Sequence, residues 1–164
     1  EVTLSTCQLD FLLPRRFELN YIDSNGEKQI PVVLHRAIFG TFDRFTAFII
    51  EETKGNFPTW LAPVQVKTIP VNPEYQGDYA KEINDLLIAN GIRAELDDRN
   101  EKLGYRLREA QTTKVPYTLI LGDAEKENQT ISYRLHGEKD TTTLSKEEFV
   151  ELIKNEIASR GLRK

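Results

Sequence analysis

Apolar and polar residues alternate through the first part of the chain and then change period. Residues 2–13 and 17–22 alternate well enough for antiparallel strands, and residues 29–34 are placed to pair back. Between the second and third strands, Asp23-Ser24-Asn25-Gly26 supplies an Asn-Gly pair, which tolerates the positive φ of a tight hairpin. The apolar run Pro31-Val32-Val33-Leu34 ends at His35, and a glycine turn at Gly40 follows. Beyond it Phe42, Phe45, Ala47, Phe48 and Ile49 fall within one broad face at helical spacing. This predicts an amphipathic helix that buries those five side chains and carries Arg44 in its first turn. Strand, turn, strand and helix of this size leave open sheet edges, so the segment needs further strands to be stable by itself.

Pro58 and Pro63 block helix continuation and mark a connector over 55–63, which places a boundary between residues 1–60 and 61–164. Strands are then predicted over 64–71, 92–97 and 117–121, with helices over 77–90 and 102–112 between them. Such alternation argues for parallel strands joined by crossover helices. Tyr79, Ile83, Leu86 and Leu87 share a face of the first helix, and Gly91 stands where a left-handed cap belongs. Residues 130–135 and 141–144 read as a hairpin around Gly137. The last helix starts at Ser145, with Glu148 reaching back in a capping box and Leu144 stapled to Phe149. The fold class is α/β: a mixed five-stranded sheet with three helices, preceded by an antiparallel strand-helix remnant.

Composition narrows the function classes. The 164 residues carry a net charge of −4 and a single cysteine. No apolar run approaches a membrane span and no cleavable leader is evident, so a cytoplasmic protein without membrane partners is expected. Cys7 is expected to be a small buried hydrophobe in a reducing compartment. A start at Glu1 and the lack of methionine suggest a piece excised from a longer protein. Mild acidity leaves nucleic-acid binding open, since basic residues can gather on one face. It predicts few phosphate contacts and weak, salt-sensitive binding.

Six segments occur together in a fixed order: Thr6-Cys7-Gln8-Leu9-Asp10-Phe11; Pro14-Arg15-Arg16-Phe17; the turn from His35 to Arg44; Phe57-Pro58-Thr59-Trp60-Leu61-Ala62-Pro63; Asp97-Asp98-Arg99-Asn100-Glu101-Lys102-Leu103-Gly104-Tyr105; and Val115-Pro116-Tyr117. In this the chain resembles the carboxy-terminal third of bacterial threonyl-tRNA synthetases, covering the end of a class II catalytic core with its third motif and then an anticodon-binding domain. The resemblance implies an intact enzyme that activates threonine with ATP and transfers it to threonine tRNA, works as a homodimer and uses zinc. This piece would supply anticodon recognition and part of the ATP and zinc site, and would be inactive alone. Arg44 matches the catalytic arginine that contacts the ATP triphosphate, where developing charge needs a cation. Thr6, Gln8 and Thr41 match the walls of the nucleotide pocket. At Val2-Thr3 the sequence departs from the Trp-Gln of many members, so residue 3 is assigned no nucleotide contact.

His35 matches one of three zinc ligands, the others being absent from this sequence, so no zinc is expected in the piece alone. Asn100 offers donor and acceptor together and is also a good helix cap. With Lys102 it is a candidate for base and phosphate contacts. Lys114, Glu125 and Arg134 match anticodon contacts by the resemblance. An arginine grips guanine bidentately and a carboxylate accepts an imino hydrogen. Arg106 and Arg108 are expected to be solvated helix residues, His136 to be exposed, and Trp60 to pack at the joint between the segments. Two alternatives carry different chemistry: a non-catalytic adaptor that keeps the anticodon-domain fold, and a metabolite-binding α/β domain without preference for tRNA.

Overall fold

The computed structural model describes residues 3–161, so the strand start expected at Val2 lies outside the described residues. The chain divides into two compact units, Glu1–Glu52 and Thr53–Lys164. The division precedes the prolines because the connector is tied into the second unit. Thr59, wholly buried, donates its hydroxyl to Glu156 at 2.7 Å, and the buried Gln65 donates to the Thr59 carbonyl at 2.9 Å. The Arg93 guanidinium holds the carbonyls of Trp60 and Ala62.

In the first unit, β1 (Thr6–Asp10) pairs antiparallel with β4 (Val33–Ala37), Gln8 facing His35. The expected strand over 17–22 survives only as β2 (Tyr21–Ile22), paired with β3 (Lys28–Gln29). The hairpin turn is of the expected kind, with Gly26 at φ 81° and Asp23 accepting the N–H groups of Asn25 and Glu27. A short α1 (Leu13–Arg16) shortens the first strand, Asp10 accepting the N–H groups of Leu12 and Leu13. The helix α2 (Phe42–Thr53) forms, but none of its residues is buried and Phe42 is 85% exposed. Its apolar face was expected to be covered; a two-stranded ladder has too little surface to cover it. Phe45 finds one partner, stacking on Phe39 at 4.6 Å. Cys7 is likewise exposed, against expectation, because both faces of the ladder are open.

The second unit holds the expected mixed five-stranded sheet, in the order β6-β5-β7-β8-β9. Strands β5 (Val66–Pro70), β6 (Ala94–Leu96) and β7 (Tyr117–Leu121) run parallel, while β8 (Thr130–Leu135) and β9 (Thr142–Ser145) complete an antiparallel edge. Helix α3 (Pro73–Ala89) starts earlier than the apolar periodicity suggested, because Asn72 caps it and Pro73 suits the first turn. Helix α4 (Leu103–Thr112) follows β6, a short α5 (Asp123–Asn128) follows β7, and α6 (Lys146–Ser159) opens on the capping box of Ser145 and Glu148.

Alternation sorts the sheet into two faces. Val66, Tyr117, Leu119, Leu121, Ile131 and Tyr133 point to one side and form a core with Tyr79, Ile83 and Leu87 of α3 and Phe149 and Ile153 of α6. Each such fully buried side chain contributes roughly 1.5–3 kcal/mol relative to exposure. Lys67, Ile69, Thr118, Ser132 and Arg134 point to the other side. With β6 and β7 on opposite sides of β5, right-handed crossovers place α3 and α4 on opposite faces. The second face is therefore covered in part by α4, while on its β8 side Ser132 is buried and bonds to Glu125 of α5.

Candidate functional site

The reversal of strand order lies between β5 and β7, and in an open α/β sheet the crevice at the carboxyl ends of such strands is where ligands bind. Three loops meet there. The turn after β5 is fixed by Gln76, which accepts from the Asn72 N–H at 2.8 Å and donates to Asp123 at 2.5 Å. The loop after β6 starts at Asp97, which is buried, donates its N–H to the Thr68 carbonyl and binds Arg99 through two nitrogens at 2.7 and 2.8 Å. The hydrogen-bonded guanidinium of Arg99 holds the Asp97 carboxyl below its ordinary pKa, and Arg99, paired also with Glu109, is raised in turn.

On the far side of this loop, Asn100 and Lys102 are exposed and make no side-chain hydrogen bond among the described residues. Asn100 is not the cap of α4, whose N-cap position is taken by Lys102 without a side-chain bond. The Asn100 amide thus keeps its donor and acceptor facing solvent. Arg106, expected to be solvated, is instead fully buried. Its neighbour Arg108 is exposed as anticipated.

After β7, the Gly122 N–H donates to Glu125 at 2.9 Å. A Cβ at Gly122 would stand 3.2 Å from that carboxylate and 3.4 Å from Val71, so the close approach favours glycine. The other Glu125 oxygen accepts from Ser132 at 2.7 Å, and the Ser132 hydroxyl also meets Thr143 at 2.7 Å. Ser132, which is buried, and Arg134, which is half-buried, stand two residues apart on the same face of β8, ~7 Å by strand geometry. The Nε of Arg134 and the hydroxyl of its cross-strand neighbour Thr118 are buried without a hydrogen-bond partner among the described residues. Beneath the sheet, burial and the nearby Glu82 and Glu125 push the Tyr79 hydroxyl up to about 12, so it stays protonated and donates to the Thr130 carbonyl.

Lys114 is set apart from this crevice. It sits at φ 56° in the turn before β7, and its ammonium group donates to the Lys54 carbonyl. Trp60 is half-buried within the second unit, and His136, expected to be exposed, is half-buried behind its N–H bond to Pro116.

In the first unit Thr6, Gln8 and Asp10 of β1 share one face with His35 of β4. His35 Nε2 lies 3.0 Å from Asp10, and both line an open groove of about 670 Å³ with Gln8, Leu9, Phe11, Leu12 and Leu13; Thr6 is not part of its lining. The backbone N–H groups of Leu13 and Leu12 hold the Asp10 carboxyl below its ordinary pKa. Asp10 escaped the sequence reading, although an aspartate just ahead of a proline-initiated turn is a capping signal. Cys7 alternates to the opposite face, and among the described residues no three His, Cys, Asp or Glu side chains gather as metal ligands. The residues present therefore do not by themselves make a zinc site. Thr41 accepts the Arg44 N–H at 3.3 Å, and the Arg44 side chain is exposed beside Gly40.

Comparison with known proteins gives a consistent picture. Residues 65–156 match the anticodon binding domain family. The threonine–tRNA ligase of Oceanobacillus iheyensis is 55% identical over 98% of this chain and that of Staphylococcus saprophyticus 55% identical over 99%; the chain spans 25% of the length of each. Among solved structures, the RNA binding domain of threonyl-tRNA synthetase from Cryptosporidium parvum superposes with a TM-score of 0.78 at 29% identity, covering 98% of this chain and 40% of that one. A prolyl-tRNA synthetase from the same organism shares the fold, with a TM-score of 0.73 at 22% identity over 89% of this chain and 31% of its own.

Proposed function

Because this chain belongs to the anticodon binding domain family, we propose that its second unit binds the anticodon loop of threonine tRNA and that the whole is the carboxy-terminal part of a threonine–tRNA ligase. The observation that carries the reading is the pair of uncommitted polar side chains on the loop after β6, Asn100 and Lys102, beside a carboxylate fixed at the start of α5. Asn100 and Lys102 face solvent, Glu125 is held in place by two donors with lone pairs to spare, and Arg134 is half-buried on the neighbouring strand. Unstacked loop bases are recognised by such edge contacts, and neither a catalytic nucleophile nor a metal is needed. Arg134 and Glu125 would read base edges, Asn100 a base edge from the loop, and Lys102 and Lys114 the phosphates. Lys114 would have to give up its contact with Lys54 to do so.

For the first unit the proposal is narrower. Arg44, with Thr6, Gln8 and Thr41, would form part of an ATP pocket in the whole enzyme, where Arg44 would steady the triphosphate during adenylate formation. His35 would be one donor to a zinc ion completed by residues outside this chain. ATP, threonine, a homodimeric partner and a cytoplasmic setting belong to the same proposal; among the described residues no helix is long and apolar enough to cross a membrane. The boundary of the catalytic core near residue 60 is part of it too. Lacking the other class II motifs, the isolated chain should show no threonine-dependent exchange of pyrophosphate into ATP.

The test is titration of threonine tRNA and an anticodon-swapped version at several salt concentrations. The unmutated chain should prefer the former, and Arg134→Ala should lose about 1–3 kcal/mol of that preference. Equal binding of both tRNAs would reject base reading and favour the adaptor or metabolite-domain alternatives.

A further inference from the structure

The largest fully buried side chain among the described residues is a charged one, Arg106. Among the described residues its guanidinium meets backbone carbonyls and no carboxylate. Nη1 donates to the Asp97 carbonyl at 2.9 Å, Nη2 to the Val71 carbonyl at 3.2 Å and Nε to the Glu101 carbonyl at 3.2 Å. These oxygens belong to the end of β6, the end of β5 and the residue between Asn100 and Lys102. A buried charge is costly to desolvate, and an apolar side chain would fill the volume with less penalty. What no apolar side chain can supply is a rigid fork of donors that holds three carbonyls from separate segments at once.

We infer that Arg106 is a positioning residue for the anticodon contact: it holds the loop over 97–102 in the shape that presents Asn100 and Lys102. It has no exposed surface with which to touch RNA itself. The inference rests on the anticodon reading above. Asp97 anchors the loop twice, its carbonyl on Arg106 and its carboxylate on Arg99, while Asn100 and Lys102 lie between these anchors and α4. Ordering the loop before RNA arrives removes an entropic penalty from binding. It also fixes the Asn100 amide to the tolerance that hydrogen-bonded recognition requires.

The experiment uses the 164-residue chain and two synthetic stem-loop RNAs, one with the threonine anticodon and one with it replaced. Asn100→Ala should weaken binding of the first about tenfold and lower its preference over the second. Arg106→Gln should do the same, and Arg106→Lys, which restores one donor, should recover part of the preference. In the double variant, Asn100→Ala should add no more than about twofold, since both changes remove one contact. If Arg106→Gln lowers the melting temperature but keeps the preference, or if the two effects multiply, Arg106 is structural only and the inference fails. Should both Arg106 variants fail to fold, backbone relaxation of the unmutated chain decides instead. Amides over 98–102 with order parameters near ~0.85 would support a preset loop, and values below ~0.6 would overturn it. Equal affinity of the unmutated chain for both RNAs would overturn the anticodon reading itself, a result distinguishable from loss of the Arg106 effect alone.

Discussion

One substitution separates the structural bonds of Glu125 from the base contact proposed for it. Both carboxylate oxygens are engaged: one accepts the Gly122 N–H at 2.9 Å, at the start of α5, and the other accepts the Ser132 hydroxyl at 2.7 Å. In Glu125→Gln the remaining oxygen can still take the Gly122 N–H. The amide nitrogen then faces Ser132, whose hydroxyl can turn to donate to Thr143, already 2.7 Å away. The network stays satisfied, and only the charge at the helix start and the strength of charge-assisted bonds are lost. That loss amounts to about 0.5–1 kcal/mol of stability. A base imino hydrogen, in contrast, would find a donor where it needs an acceptor, and a lost base contact is worth about 1–3 kcal/mol. Thermal melting followed by circular dichroism gives the first quantity, and stem-loop titration with matched and swapped anticodons gives the second. Glu125→Gln should melt close to the unmutated chain and discriminate poorly. If melting falls while the ratio of affinities is unchanged, Glu125 caps α5 and reads no base.

Three other outcomes follow from the same geometry. Phe149→Ala should destabilise the second unit by about 3–5 kcal/mol in urea titrations, since a fully buried ring packed against Tyr117 and Tyr133 leaves a cavity; a loss under ~1 kcal/mol would place the core elsewhere. Because Arg99 holds Asp97 below its ordinary value of 3.8, the pair's contribution is present at neutral pH and fades as pH falls through the depressed value. The stability gap between the unmutated chain and Asp97→Asn should therefore close on acidification, and a gap unchanged down to the onset of acid unfolding would contradict the assignment. Lys102→Ala should weaken binding to matched and swapped RNAs alike and lower the salt slope by about one, as loss of a phosphate contact does; a loss confined to the matched RNA would make Lys102 a base reader.

The features legible along the chain were local ones. Ser145 and Glu148 cap α6 because three residues suffice to bring their groups together. Gly91 and Gly137 take positive φ because a missing Cβ is a property of one residue. Alternation and helical period placed the strands and helices of the second unit, and the order of motifs pointed to the family, because both are written along the chain. Features that join residues distant in sequence emerged only on packing. The sign of an exposure is such a case: Phe42 lies on an apolar face yet is exposed, and Arg106 reads as a solvated helix residue yet is buried. Whether a partner surface exists cannot be inferred from the periodicity of one element. The carbonyls of Val71, Asp97 and Glu101 meet on Arg106 only once β5, β6 and α4 have packed. Ser132 likewise reaches Glu125 only when β8 folds back beside β7, and Thr59 finds Glu156 across 97 positions of chain. Periodicity reports which side chains seek burial, whereas buried polar groups are placed by whichever segments the fold delivers to them.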